Sequence, residues 1–316
     1  MSIVLDTVKR VVDQSDHVFI NHQALKSWSN LFSLKNVCHW FDKAPFDIDK
    51  LNEKDRLHYL FVFNSISFSY WSGQKWRIDY DSQVLDGAYG MIAALGRALE
   101  EGIPVTDFEF LSKMKKDDFS YILRGENKIP LFNERLGILK EIGSIVSREY
   151  SGQLINFIKN SNSTEELLPS IVHSFPSFKD ESFYKGNKVF FYKRAQLFIA
   201  DMLQSIRSIP TYLNDISNIT ACADYKLPQM LRRFGIFEYS PDLKNIILSQ
   251  GEIDSGHPFE IEIRANTIWS VHLMKEIVKA KFPEIDDIQI NDHLWLLSQR
   301  KLDIDEPYHH TRTTAY

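Results

Sequence analysis

KRAQLFIADMLQSI (193–206) reads as a helix, and the fold class follows from how often its pattern recurs. Ala195, Phe198, Ile199, Met202 and Ile206 return at the three- and four-residue steps that gather side chains on one helical face. On the same wheel Arg194, Asp201 and Ser205 form a polar stripe beside that face, so Asp201 borders the core. The ordinary explanation for such an acid is a bond that locks its helix to a neighbour.

The same period runs outward from this segment. In GAYGMIAALGRALEEGIP (87–104), Met91, Leu95, Ala98 and Leu99 share a face, and Gly102 then Pro104 supply the stop. FNERLGILKEIGSIVSREY (132–150) does the same with Leu136, Leu139, Ile142, Ile145 and Val146, and IWSVHLMKEIVKA (268–280) continues the type. Short strands are expected at RIDY (77–80), VFFY (189–192) and NIILSQGEI (245–253). KNSNSTEELLPS (159–170), the longest polar interval, is expected to join two helices. With no repeat or low-complexity linker, the expectation is a mainly α chain with minor β content, a single globular domain over residues 1–316.

Charge narrows the partners. The 316 residues carry a formal net charge of −5, and the basic cluster KMKK (113–116) runs straight into Asp117 and Asp118. A grip on a nucleic-acid backbone needs a basic face, so duplex DNA or long RNA is a poor fit, whereas a small anion needs only two or three placed cations. Cys38 and Cys222 stand far apart, which argues against a disulfide framework and a thiolate metal site. The absence of a long apolar run predicts no membrane span and no secretory signal, hence a soluble intracellular protein. His309 and His310 are adjacent and share no helix face, and no metal is assigned. Neither a phosphate-cradling glycine loop nor a nucleophile elbow is present, which removes P-loop, Rossmann, kinase and serine-hydrolase readings.

Two stretches invite chemistry. NSISFSYWSGQKWRIDY (64–80) holds Phe68, Tyr70, Trp71 and Trp76 within nine positions: either a core helix followed by a loop, or a wall for a planar ligand. In TACADYKLPQML (220–231), Asp224 precedes a helical stripe of Leu227, Met230, Leu231 and Phe234, with Pro228 in its first turn. Asp224 is by default an N-cap, worth about 1 kcal/mol. A functional role would also need apolar neighbours, a pocket and a cation such as Lys193 or Lys226.

Seven stretches, in order along nearly the whole chain, resemble the queuosine salvage protein family, the queuosine 5′-phosphate N-glycosylase/hydrolases. They are SFSYWSG (67–73), RALEEGIPVTD (97–107), FYKRAQLFIADM (191–202), ACADYKLPQMLRRFGIFEYSPDL (221–243), EIEIRANTIWSVHLM (260–274), INDHLWLL (290–297) and YHHTRTTAY (308–316). The resemblance implies a helical fold like that of the helix-hairpin-helix DNA glycosylases, acting on a mononucleotide. It implies hydrolysis of queuosine 5′-phosphate to release queuine for return to tRNA. No metal or organic cofactor, no direct tRNA or DNA binding and no membrane association are implied, and the location is cytoplasmic, with the nucleus as a further site. Asp224 matches the family's active-site aspartate, placed to stabilise or attack an oxocarbenium-like ribose. The other catalytic candidates are Lys193 and Asp201, which would orient Lys193, Arg194 or water. Asp292 is the candidate reader of the guanine-like edge, with His293 beside it. Tyr70, Trp71 and Tyr225 are candidates for base and ribose walls, and Lys193, Arg194 and Arg312 for the 5′-phosphate. Cys222 departs from the family, which often has Phe there. The competing readings are a base glycosylase acting on polymeric nucleic acid and a non-catalytic queuosine-binding helical protein.

Overall fold

The computed structural model describes residues 2–316. Among these, the helices are α1 (Ile3–Val12), α2 (His22–Leu31), α3 (Glu53–Ile66), α4 (Gly87–Glu100), α5 (Phe108–Lys113), α6 (Lys116–Ile122), α7 (Phe132–Glu149), α8 (Leu154–Ile158), α9 (Thr164–Ser174), α10 (Lys193–Ser205), α11 (Lys226–Arg233), α12 (Pro241–Leu248), α13 (Pro258–Val278) and α14 (Asp287–Ser298). The strands are β1 (Val18–Ile20), β2 (Arg77–Tyr80), β3 (Gln83–Asp86), β4 (Glu181–Tyr184), β5 (Asn187–Phe190) and β6 (Phe237–Tyr239). They form antiparallel pairs only: β1 with β6, β2 with β3, and β4 with β5. The last two are tight hairpins whose turns take positive φ at Asp81 and Ser82 and at Lys185 and Gly186, the twist that two-residue hairpins favour.

The fold is thus mainly helical, and the strands clip helices together. Every residue from Leu57 to Ile66 in α3 and from Lys193 to Met202 in α10 is buried. These helices have neighbours on all sides, so their polar side chains must find partners inside the protein. One apolar cluster gathers α3, α4, α7 and α10, a second gathers α2, α11, α13 and α14, and Trp295 packs against both. No helix among the described residues is long and apolar enough to cross a membrane.

Three expectations are corrected. NIIL (245–248) joins α12 and not a strand: Ser240 Oγ caps Leu243 N–H, Pro241 opens the first turn, and Leu243 and Ile247 bury one face. The strand at VFFY stops at Phe190, because the N–H groups of Phe191 and Tyr192 both donate to Asp180 O (3.1 and 3.3 Å) and Tyr192 turns left-handed (φ 51°). The interval 159–170 is only half connection, since Ser163 caps α9 and the helix runs on from Thr164.

Helices α5 and α7 meet at backbone distance over Gly143. A Cβ there would collide with Ser112 N and lie 2.7 Å from Phe108 O, both main-chain atoms that cannot swing aside. Gly143→Ala is expected to lower stability by about 1–3 kcal/mol through overpacking. Urea unfolding measures this, and an unchanged midpoint would contradict it.

Candidate active site

A cavity of about 620 Å³ opens between the two apolar clusters. Its lining comes from the 67–75 loop, the start of α4, the first turns of α10 and α11, the end of α14 and the 305–310 segment. The segment carrying Asp224 enters it extended, held by side chains where a sheet would use main chain. Gln196 Oε1 accepts from Thr220 N (2.8 Å), and Asn291 Oδ1 accepts from Cys222 N (2.9 Å). Asp224 Oδ1 then takes the N–H groups of Lys226 (2.7 Å) and Leu227 (3.1 Å). Asp224, one residue before the N-cap Tyr225, therefore holds the first amides of α11 and lines the cavity at once, and among the described residues no hydrogen bond reaches its Oδ2.

Lys193 enters from the start of α10. Left-handed Tyr192 precedes it, and Lys193 N donates to Asp180 Oδ2 at 3.0 Å. A tyrosine at positive φ is strained, so the surrounding bonds must hold it there. The Lys193 side chain is 6% exposed and lines the cavity, with no acid within ion-pair distance among the described residues. Cys222 lines the same cavity; burial pushes its thiol well up, with Asp201, Asp292 and Asp224 adding to the rise and Lys193 opposing it.

The aromatic wall is the 67–73 loop, left over when α3 ends at Ile66. Fully buried Arg135 supports it from behind. Its guanidinium donates to the carbonyl oxygens of Phe68 and Ser69 and lies 4.1 Å from the Phe68 ring centre and 5.1 Å from that of Tyr70. Trp71 stacks flat on His310 (4.5 Å, 3°) and donates from Nε1 to Thr311 O (3.1 Å). Tyr225 packs on Tyr308 at 4.6 Å. Of the expected site residues, Asp224, Lys193, Cys222, Tyr225, Tyr70 and Trp71 line the one cavity.

The other five stand elsewhere. Asp201 is fully buried and accepts from Trp40 Nε1 (2.9 Å) and Asn64 Nδ2 (2.8 Å), with His39 Nε2 at 3.0 Å; its partners are these, not Lys193 or Arg194. Asp292, 1% exposed, lies behind the floor, taking Trp40 N (3.3 Å) and Asn291 Nδ2 (3.1 Å). Arg194 points inward, donating to Ser65 O and Ser177 O with its face towards the Phe68 and Phe178 rings, so its fork is not open to a phosphate. Arg312 pairs with Glu252 (3.5 Å) and lies over Trp71, outside the cavity lining. His293 belongs to a separate shallow hollow with Trp28 and Phe32.

Cavity residues outside the sequence reading include Trp40, Trp295, Lys75, Lys301 and Tyr308. Trp40 and Trp295 meet edge to face at 4.9 Å and make an apolar floor. Among the described residues no cluster of three His, Cys, Asp or Glu could hold a metal ion.

Two buried groups beneath the floor, Asp292 and His39, hold their protons more tightly than usual. Burial raises Asp292 to about 7; Asp201 adds to the rise, while His39, Asn291 and Trp40 N oppose it. For His39 burial disfavours the cation, but the hydrogen bond and charge of Asp201 outweigh it, and its pKa is raised. Both groups hold protons more tightly folded than unfolded. Their stabilising effect is full below the unfolded values and is lost as pH climbs through the folded ones. Between about pH 4 and pH 7 the melting temperature is expected to fall by a few degrees through Asp292, and His39 adds to the fall above about pH 6.5. The double variant His39→Gln/Asp292→Asn should flatten that slope in a thermal-shift series, and an unchanged slope would refute the assignment.

The family described as queuosine salvage protein matches residues 48–316. The queuosine 5′-phosphate N-glycosylase/hydrolase of Sphaerobacter thermophilus is 35% identical over 323 residues, covering 99% of this chain and 97% of that protein. The proteins of that name from Bos taurus and Mus musculus are 30% and 29% identical, and each alignment covers 98% of both chains. With its cavity residues inside the matched region or, like Trp40, just ahead of it, this chain belongs to the queuosine salvage protein family.

Proposed function

We propose that this chain hydrolyses the N-glycosidic bond of queuosine 5′-phosphate, releasing queuine and ribose 5-phosphate. The observation that carries the reading is Asp224, in a chain whose relatives bear that enzyme name along their full length. One of its oxygens is fixed by two helix amides, and among the described residues no hydrogen bond reaches the other, in a residue that lines the cavity.

As the bond from ring nitrogen to ribose breaks, its electron pair leaves with the base and positive charge builds on the anomeric carbon. A fixed carboxylate beside that carbon stabilises the charge without reorganising. It acts as an ion-pair partner, or as a nucleophile whose ester water then cleaves. Water supplies hydroxide to the ribose and a proton to the base. A 7-deazaguanine has no N7 to protonate, so its departure depends on contacts elsewhere on the base. The floor of Trp40, Trp295, Leu197 and Cys222 suits the flat ring. Asp292 serves the guanine-like edge from behind Asn291, which it orients. Lys193, a cation with no acid partner, supports the electron-rich leaving group, and Asp201 acts through Trp40 and His39 as a positioning residue.

The same reading treats residues 1–316 as one catalytic unit, related in fold to helix-hairpin-helix DNA glycosylases. It works in the cytoplasm on a free nucleotide, with no grip on tRNA or DNA. The net charge of −5 supports that substrate class over a polymer.

Asp224→Asn keeps an oxygen to cap α11 but removes the charge. It should fold with a similar melting temperature and lose about 10³-fold or more in queuine release from queuosine 5′-phosphate, followed by chromatography. Turnover near wild type would remove Asp224 from the mechanism, and absence of product from the wild-type protein would favour a binding role. Wild-type protein should also show a kcat/KM for the 5′-phosphate well above that for the nucleoside. Equal values would remove the phosphate from recognition.

A further inference from the structure

The expected phosphate ligands Arg194 and Arg312 do not face the cavity, so the anion needs another partner. Its cations can be sorted by what already neutralises them. Lys75 is bonded to Asp86 at 2.8 Å. The acids at the mouth are likewise occupied: Asp305 by Arg233 and Glu306 by Arg232. Lys193 is free of acid partners among the described residues but is buried, and Lys301, also without an acid within ion-pair distance among them, is solvent-exposed. Lys226 has no acid within ion-pair distance among the described residues. Its Nζ sits 5.2 Å from the centre of the Tyr308 ring, which also lines the cavity.

Lys226 sits among other charged groups of the cavity. Burial weakens its hold on the proton; Asp224, Asp86 and Asp305 act to keep it charged, and Lys75 acts against. All four of those groups line the cavity. Lys226 also follows Asp224 by two positions, and the two are fixed together because Asp224 Oδ1 accepts the Lys226 N–H.

We infer that Lys226, carried on the Tyr308 ring, is the residue that receives the 5′-phosphate and makes the site specific for the nucleotide. The inference rests on the proposed glycosidase reading. Desolvation decides the orientation. A phosphate dianion is costly to bury, and a flat base gains from burial, so the base occupies the tryptophan floor and the phosphate the rim. Asp224 then faces the ribose between them. A flexible ammonium at the rim can follow the phosphate while water keeps the remaining oxygens hydrated.

Lys226→Met and Lys226→Arg variants test this against the wild type by calorimetric titration with ribose 5-phosphate, and separately with queuine. Loss of the charge should weaken ribose 5-phosphate by about 10-fold or more, the scale of one charge-assisted contact. Queuine affinity should move by less than about 2-fold, and Lys226→Arg should recover most of the loss. In turnover, the ratio of kcat/KM for nucleotide over nucleoside should drop by a similar factor in Lys226→Met. Ribose 5-phosphate affinity within about 2-fold of wild type in Lys226→Met would overturn the assignment, as would equal loss for queuine. Failure of the wider reading looks different: wild-type protein would release no queuine, whatever stands at position 226.

Discussion

The carboxylate of Asp180 and the guanidinium of Arg264 meet in the interior through two parallel bonds of 2.8 and 2.6 Å, and the cavity wall hangs on that pair. Helices α10 and α13 carry charged groups where an amphipathic helix would carry none, so the fold must satisfy them internally. Asp180 does so several times over. Its side chain also accepts Lys193 N, and its carbonyl accepts Phe191 N and Tyr192 N. Arg264 stacks against the rings of Phe191 and Tyr316, at 3.9 and 4.3 Å from their centres. One ion pair thereby joins the β4–β5 hairpin, the start of α10, α13 and the 308–316 segment. Removing one member of such a pair costs about 3–5 kcal/mol, because the other charge stays buried.

A second buried arginine repeats the device on the opposite wall. Arg135 binds the carbonyl groups of Phe68 and Ser69, and burial lowers its pKa to about 10. Ser69 sits at φ 34°, and its N–H donates to the main-chain oxygen of Tyr316 at 2.8 Å. The aromatic wall and the 308–316 segment therefore support each other, and Trp71 is held between His310 and Arg312. Cavity walls made of loops need such cross-ties, since no helix or sheet ladder fixes them.

Periodicity made the amphipathic helices legible: 87–104 and 193–206 became α4 and α10 almost to the residue. It failed where burial is all-round or the local signal points two ways. Helix α3 has no polar stripe to betray its face, since ten consecutive residues are buried. The β-branched run in NIILSQ looks like a strand until Ser240 and Pro241 are read as a helix start. Among the site residues, those in distinctive local motifs reached the cavity together: Asp224, Tyr225, Cys222, Lys193, Tyr70 and Trp71. Arg194 shows the limit. Its motif lies beside the site, but its guanidinium answers to Ser65 and Ser177, carbonyls contributed from far along the chain. Lys301 and Tyr308 were invisible for the same reason, because the close of the chain returns to the cavity only in three dimensions.

Asp224 also shows why an acid that binds helix amides can still line a cavity. The amides of Lys226 and Leu227 bind one oxygen and orient the carboxylate. Among the described residues no hydrogen bond reaches the second oxygen, and the residue lines the cavity. The polypeptide reaches it extended, pinned at Thr220 by Gln196 and at Cys222 by Asn291. Gln196 stands on α10, one turn from Lys193, and Asn291 stands on α14, next to Asp292. The geometry of the acid is therefore set by the same two helices that place the deep cation and the acid beneath the floor. A shift of α10 against α14 would therefore pull on both pins at once and disturb the placing of Asp224.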